Sequence, residues 1–330
     1  MGPLPGPCPE VAAIVMERVL ITGGLGGVGL HVAQRFAGVH APVRVLELDT
    51  PSVRKRLRSL SRQPEVVWGD VTNRDDVDRA LESVDMVAHL AAVLPPRADA
   101  EPELTQRVNV GGTLTVVEAL RGAERRIPII YTSTIAVFGD TRAQTPPLHP
   151  DRNAMNPSSP YEKSKAEAEM LVRTSGLDFV VLRLGANPHL ELSLSMFRDM
   201  FIQPYDSRIE FTHVEDTATA VVHAVQRFEE VKNRVLIVSG GPPNQMYYHE
   251  FVARSMGKLG LPCPPKSKFS KGPSHLDWYD TSDSQQALEF QSRTLDDYLE
   301  DLYRPIPRVV RASLRYVIGP LFGRLIVRLM

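Results

Sequence analysis

The chain predicts an α/β fold, a doubly wound parallel sheet with a smaller lobe contributed mainly by its second half. Three observations carry this. Short apolar runs alternate with polar segments of helix length through the first half. A glycine-rich turn follows the first run directly. The alternation then loosens, as it does where a chain leaves a central sheet to build a second layer.

The strand-like runs are Arg18–Thr22, Val43–Leu48, Glu65–Trp68, Met86–His89, Ile127–Thr132 and Phe179–Arg183. Between them lie polar segments of helix length around 27–38, 73–83, 101–121 and 161–175. Strand, helix, strand at this spacing calls for right-handed crossovers with helices on both faces. A short strand at Glu210–Thr212 leads into a helix, Glu215–Arg227, and a further strand, Arg234–Ser239. A helix near 247–258, a Pro/Lys-rich loop and an acidic helix over about 294–302 complete this half, which shows no sheet of its own.

Composition bounds the function. With 330 residues, 43% hydrophobic and 23% charged, the chain is globular. A net charge of -1 and the lack of a basic-aromatic cluster argue against a nucleic-acid partner. Two cysteines, Cys8 and Cys263, make neither a disulfide framework nor a metal-ligand spacing and suit a reducing, cytoplasmic setting. The opening MGPLPGPCPEVAAIV lacks the basic n-region of a signal peptide. It reads as a loose tail, or translation starts at Met16. No run of 18 apolar residues predicts a transmembrane helix.

After the first strand stands TGGLGGVG, with Gly23, Gly26 and Gly29 spaced three apart and Gly27 and Val28 between. Glycines here allow a tight turn and let backbone N–H groups approach a pyrophosphate at a helix N-terminus. Glu47 ends strand two, 24 residues past Gly23, near the place of an acid that holds ribose hydroxyls. That favours NAD, since a carboxylate repels a 2′-phosphate. Arg54, Lys55, Arg56 and Arg58 follow closely and keep NADP open. Asp49 takes the acid's role if the register slips by two.

Four further stretches follow in order: GDV at 69–71, HLAA at 89–92, TSTIAVFG at 132–139 and YEKSK at 161–165. With the glycine loop they resemble the extended short-chain dehydrogenase/reductases, which include sugar-nucleotide epimerases and 3β-hydroxysteroid dehydrogenases. The resemblance covers roughly residues 17–240 and implies a Rossmann-type fold. It implies that Asp70 and Val71 line an adenine pocket and that Leu90, Ala91 and Ala92 pass beneath the nicotinamide half. It sets Asn109 at the cofactor side of the site and makes Thr134, Tyr161 and Lys165 the catalytic set. The stretch FTHVED at 211–216 resembles the family's helix start and reads as structural. The domains expected are a tail over 1–15, a dinucleotide-binding domain over 16–187 with 209–240 returning to it, a substrate lobe from 188–208 and 241–305, and a basic amphipathic tail over 306–330. A homodimer through the cofactor domain is a further family expectation.

The chemistry of the pair is explicit. A free tyrosine titrates near pH ~10 and needs a nearby ammonium to serve as a base at neutral pH. Lys165, one turn on, shares a helix face with Tyr161. Thr134 donates to the substrate oxygen, while its neighbour Ser133 is the alternative donor. Departures narrow the reaction. Thr134-Ile135-Ala136 lacks the Asp-Glu pair of sugar-nucleotide dehydratases, which excludes that class. Ala186 stands where epimerases of the family have asparagine, and the stretch from Pro188 to Arg208 lacks their diphosphate grip. Arg183 and Arg208 read as ion-pair residues. The first expectation is an NAD(P)-dependent oxidoreductase for a secondary alcohol or ketone, with an apolar substrate such as a sterol, isoprenoid or lipid-like alcohol. The second is a sugar-nucleotide 4-epimerase that keeps its NAD; the third is a non-catalytic cofactor-binding scaffold. Residues 308–330 carry five arginines and no acid among Val, Leu, Ile, Phe and Tyr. They read as a peripheral contact with the cytoplasmic face of a membrane, a dimer contact or a helix packed on its own domain.

Overall fold

In the computed structural model the described residues are 18–39, 42–188, 190, 200–318, 320, 321, 323 and 327. The expected N-terminal tail, Arg324 and Arg328 lie outside them.

Seven parallel strands form one sheet: β1 Val19–Thr22, β2 Val43–Glu47, β3 Glu65–Trp68, β4 Met86–His89, β5 Ile129–Thr134, β6 Phe179–Leu184 and β8 Arg234–Val238. Their order is β3-β2-β1-β4-β5-β6-β8. Period-two alternation sends Val19 and Ile21 to one face and Leu20 to the other, and both faces are buried. On the first face helices Gly27–Gly38 and Val214–Gln226 cover Ile21, Val45, Ile130 and Leu182 with Val32, Phe36 and Val221. On the second, helices Arg74–Leu81, Gly112–Gly122 and Pro160–Arg173 cover Val87, Ile129 and Val181 with Val77, Val116 and Val172.

A third core builds the smaller lobe from Phe211, Phe251, Tyr279, Tyr298, Leu299 and Tyr303, and Phe138 and Ile237 join it to the large sheet. Here the expectation of no second sheet fails. β7, Arg208–Glu210, pairs antiparallel with β9, Gln245–Tyr247. Three-residue strands are too short to show a period in sequence. β7 also begins two residues before the run expected there, and β5 sits two residues later than expected. The segment expected as one helix over 101–121 breaks into the turn Pro102–Thr105, a π-turn Gln106–Gly111 and the helix Gly112–Gly122.

Candidate active site

The carboxyl ends of the strands meet in a cleft of about 860 Å³ beside the switch point between β1 and β4. The glycine turn forms its floor. Gly23 has φ +68°, and a Cβ there would lie 2.8 Å from the backbone of Ala91. A Cβ on Gly29 would lie 2.1 Å from the Gly23 carbonyl oxygen. The turn is thus as tight as backbone allows, and the helix from Gly27 starts against it. Gly26, Gly27 and Val28 face the same cleft.

Glu47, half-buried at the end of β2, accepts the Leu25 N–H at 3.0 Å. Burial raises its pKa, with the Leu25 and Leu48 N–H groups and the Arg56 charge pulling the other way. Asp49 does not line the cleft; it holds Arg54 in a two-pronged pair at 2.5 and 2.7 Å. Arg56 does line it and donates to the Leu25 carbonyl at 3.2 Å. Asp70, Val71, Leu90, Ala91 and Ala92 complete the walls.

Under the walls lies a buried chain that the sequence reading missed. The Thr113 hydroxyl donates to the Asn109 carbonyl at 2.6 Å, so its oxygen accepts from His89 Nε2 at 3.0 Å. His89 Nδ1, 2.6 Å from the Thr22 hydroxyl, is then an acceptor, and Thr22 accepts the Ala91 N–H in turn. Burial, then the Lys165 charge, drops the His89 pKa to about 3 and keeps the ring neutral.

Ser159 and Glu162 cap the tyrosine helix reciprocally, with Pro160 in its first turn. Asp99 accepts the Tyr161 N–H at 3.1 Å. These contacts fix where the side chain leaves the helix, near enough to Thr134 for its hydroxyl to favour the phenolate. Lys165 donates to the Thr132 carbonyl at 2.7 Å and sits 4.4 Å from the Tyr131 ring centre. Ser133 also borders the cleft, but its hydroxyl is committed to the buried Glu169, to which it donates at 2.7 Å. The geometry therefore favours Thr134 over Ser133 as the donor at the cleft.

Burial dominates at both members of the pair. Burial pushes Tyr161 up to about 12, the Thr134 hydroxyl pulls the other way, and the Asp99 charge adds to the rise. Burial also lowers Lys165 to about 7, partly offset by Glu169. Asn109 is buried away from the cleft: its amide oxygen accepts the Val93 N–H at 2.7 Å, and its nitrogen donates to the Val93 carbonyl at 3.1 Å and to Ser164 Oγ at 3.0 Å. Arg183 and Arg208 are ion-pair residues, bound to Glu169 and Asp277.

Fold and site together define an extended short-chain dehydrogenase/reductase. Residues 19–187 match the NAD dependent epimerase/dehydratase family, and the chain belongs to that family, whose cofactor is NAD. It is 34% identical over 160 residues to a dTDP-glucose 4,6-dehydratase of Mycolicibacterium smegmatis, covering 47% of this chain and 48% of the other. It is 34% identical over 182 residues to a D-erythronate dehydrogenase of Cupriavidus necator, covering 51% and 54%. The chain thus spans about half the length of these relatives. A UDP-glucose-4-epimerase structure from Stenotrophomonas maltophila, with bound NAD, superposes with a TM-score of 0.73 at 20% identity, covering 90% of this chain and 98% of that one. Among the described residues no helix is long and apolar enough to cross a membrane.

The residues present fit NAD. The two glycines leave no space for a Cβ where a pyrophosphate must approach backbone, a helix N-terminus follows, and a carboxylate lies in the cleft at the end of β2.

Proposed function

We propose that the chain interconverts a secondary alcohol and a ketone by hydride transfer, with Tyr161 as general acid/base. One observation carries the reading: Thr134, Tyr161 and Lys165 line the same cleft at the carboxyl ends of the strands, beside the glycine turn. NAD, held by Gly23, Gly26, Gly27, Val28, Gly29, Glu47, Asp70 and Val71, supplies the hydride acceptor. Thr134 orients the substrate oxygen. Tyr161 removes its proton in oxidation and returns it in reduction. Lys165 favours the phenolate when charged.

The substrate is apolar or amphiphilic in this reading. Val93, Leu94, Leu104, Leu184 and Leu190 line the cleft beyond the catalytic set. Residues 16–187 with 209–240 serve the cofactor, 188–208 and 241–305 the substrate. A cytoplasmic setting, membrane contact through 308–330 and a homodimer belong to the same reading.

The second reading is a sugar-nucleotide 4-epimerase that keeps its NAD. Arg107 favours it, since it lines the cleft with no ion-pair partner among the described residues and suits a phosphate. Denaturing purified protein and assaying the released nucleotide separates the two. Near-stoichiometric NAD or NADH supports the epimerase; empty protein that takes up NAD supports the dehydrogenase. Tyr161→Phe should lower turnover about 10²–10⁴-fold with NAD binding retained. Unchanged turnover removes the mechanism.

A further inference from the structure

Six of the thirteen exposed large apolar side chains among the described residues fall between 309 and 321: Val309, Val310, Tyr316, Val317, Ile318 and Leu321. Val309 is 78% exposed and Leu321 70%. A cluster of this kind marks an interaction surface.

The segment that carries them is not loose. It runs as helix Arg308–Ser313 and a π-turn, Leu314–Ile318. Leu314 packs into the small-lobe core, and Arg311 reaches Glu300 at 3.6 Å. Gly260, at φ +73°, has no space for a Cβ, which would lie 2.6 Å from the Arg315 carbonyl oxygen. One side of the segment is therefore seated backbone-on-backbone on its own lobe. The apolar residues named above project elsewhere.

Charge decides what meets them. Arg308 and Arg315 are exposed beside the apolar residues, Arg311 is taken up by Glu300, and no acid lies between 308 and 318. A two-fold contact with a second copy would set this patch against itself and bring arginine toward arginine. An anionic bilayer satisfies both halves: apolar side chains enter the acyl boundary and arginines meet headgroups. We propose that residues 308–318, with Leu321, form a docking surface for an anionic lipid bilayer, preset on the small lobe. This rests on the membrane contact in the reading above and is independent of which alcohol the cleft accepts.

The test floats the full chain with phosphatidylcholine vesicles, and with vesicles that also hold phosphatidylglycerol. The expected result is binding to the anionic vesicles alone, lost near ~1 M salt, where the screening length is about 3 Å. Arg308→Gln with Arg315→Gln should weaken binding about thirtyfold, near fivefold per arginine. Val309→Asp with Val317→Asp should abolish it. Both variants should melt as the wild type does, since these side chains lie outside the cores. No binding overturns the proposal, as does equal binding to neutral and anionic vesicles. A dimer in solution that Val309→Asp with Val317→Asp converts to monomer also overturns it, in favour of a second copy. Binding is read without turnover, so a failed alcohol assay leaves this test standing.

Discussion

Arg183 grips Glu169 with two donors, Nε at 3.1 Å and Nη2 at 2.7 Å, and neither residue is more than 2% exposed. The pair ties the tyrosine helix to β6. Ser133, on the same carboxylate, ties it to β5. Glu169→Gln should cost about 3–5 kcal/mol by urea unfolding, because it strands a buried guanidinium. Replacing both partners by methionine should recover most of that loss. A single-variant cost below ~1 kcal/mol would remove this role.

Ser133 and Thr134 should separate cleanly. Ser133→Ala leaves one oxygen of Glu169 short of a donor and should cost about 1–2 kcal/mol of stability. Thr134→Ala removes the cap its hydroxyl gives the Ala136 N–H, should cost about 1 kcal/mol, and should lower kcat about 10–100-fold where Ser133→Ala leaves it nearly unchanged. Steady-state kinetics distinguish them, and the reverse pattern would make Ser133 the donor.

Gly29→Ala tests the cradle. Its Cβ would meet the Gly23 carbonyl, so the turn must open. NAD affinity should fall at least about tenfold, since the N–H groups no longer converge on a pyrophosphate. Isothermal titration reads this directly.

The acid at the end of β2 sets the choice of cofactor. Glu47→Ser should raise NADP affinity relative to NAD by about tenfold, as Arg56 then faces a 2′-phosphate without a competing carboxylate. Adding Arg56→Gln should reverse the gain.

Lys165 makes a pH prediction. Its pKa is lowered to about 7 in the fold, below its value in the unfolded chain of about 10.4. The unfolded chain therefore binds more protons between these values, and stability rises with pH across that window. Measured against Lys165→Met, the wild type should gain stability from pH ~7 to pH ~10, by a few kcal/mol at most. A flat difference would mean the ammonium keeps its charge in the fold.

Much of the site was legible because chemistry sat beside periodicity. Gly23, Glu47 and the 89–92 stretch each follow an apolar run, so the strand ends were readable and the cleft with them. Spacing put Tyr161 and Lys165 on one helix face, but a catalytic role for them came only with the resemblance that the five motifs carry together. What was not legible depended on tertiary burial. Glu169 looked like another polar residue of its helix, though an arginine in the apolar run of β6 was a signal that a buried acid must exist. The upward shift of Tyr161 follows from packing that no local pattern encodes. Asn109 was set at the cofactor side, yet its amide is consumed by Val93 and Ser164. The π-turn that carries it looked like ordinary helix.

That amide has a wider consequence. Asn109 clasps the loop after β4 on one side and the tyrosine helix, through Ser164, on the other. Loop, π-turn and helix should behave as one rigid body with β5. The reacting set then keeps its own internal frame of reference, while β7 and β9 form a sheet of their own. The small lobe is free to be remodelled for a new molecule while the distances that govern proton movement stay where they are.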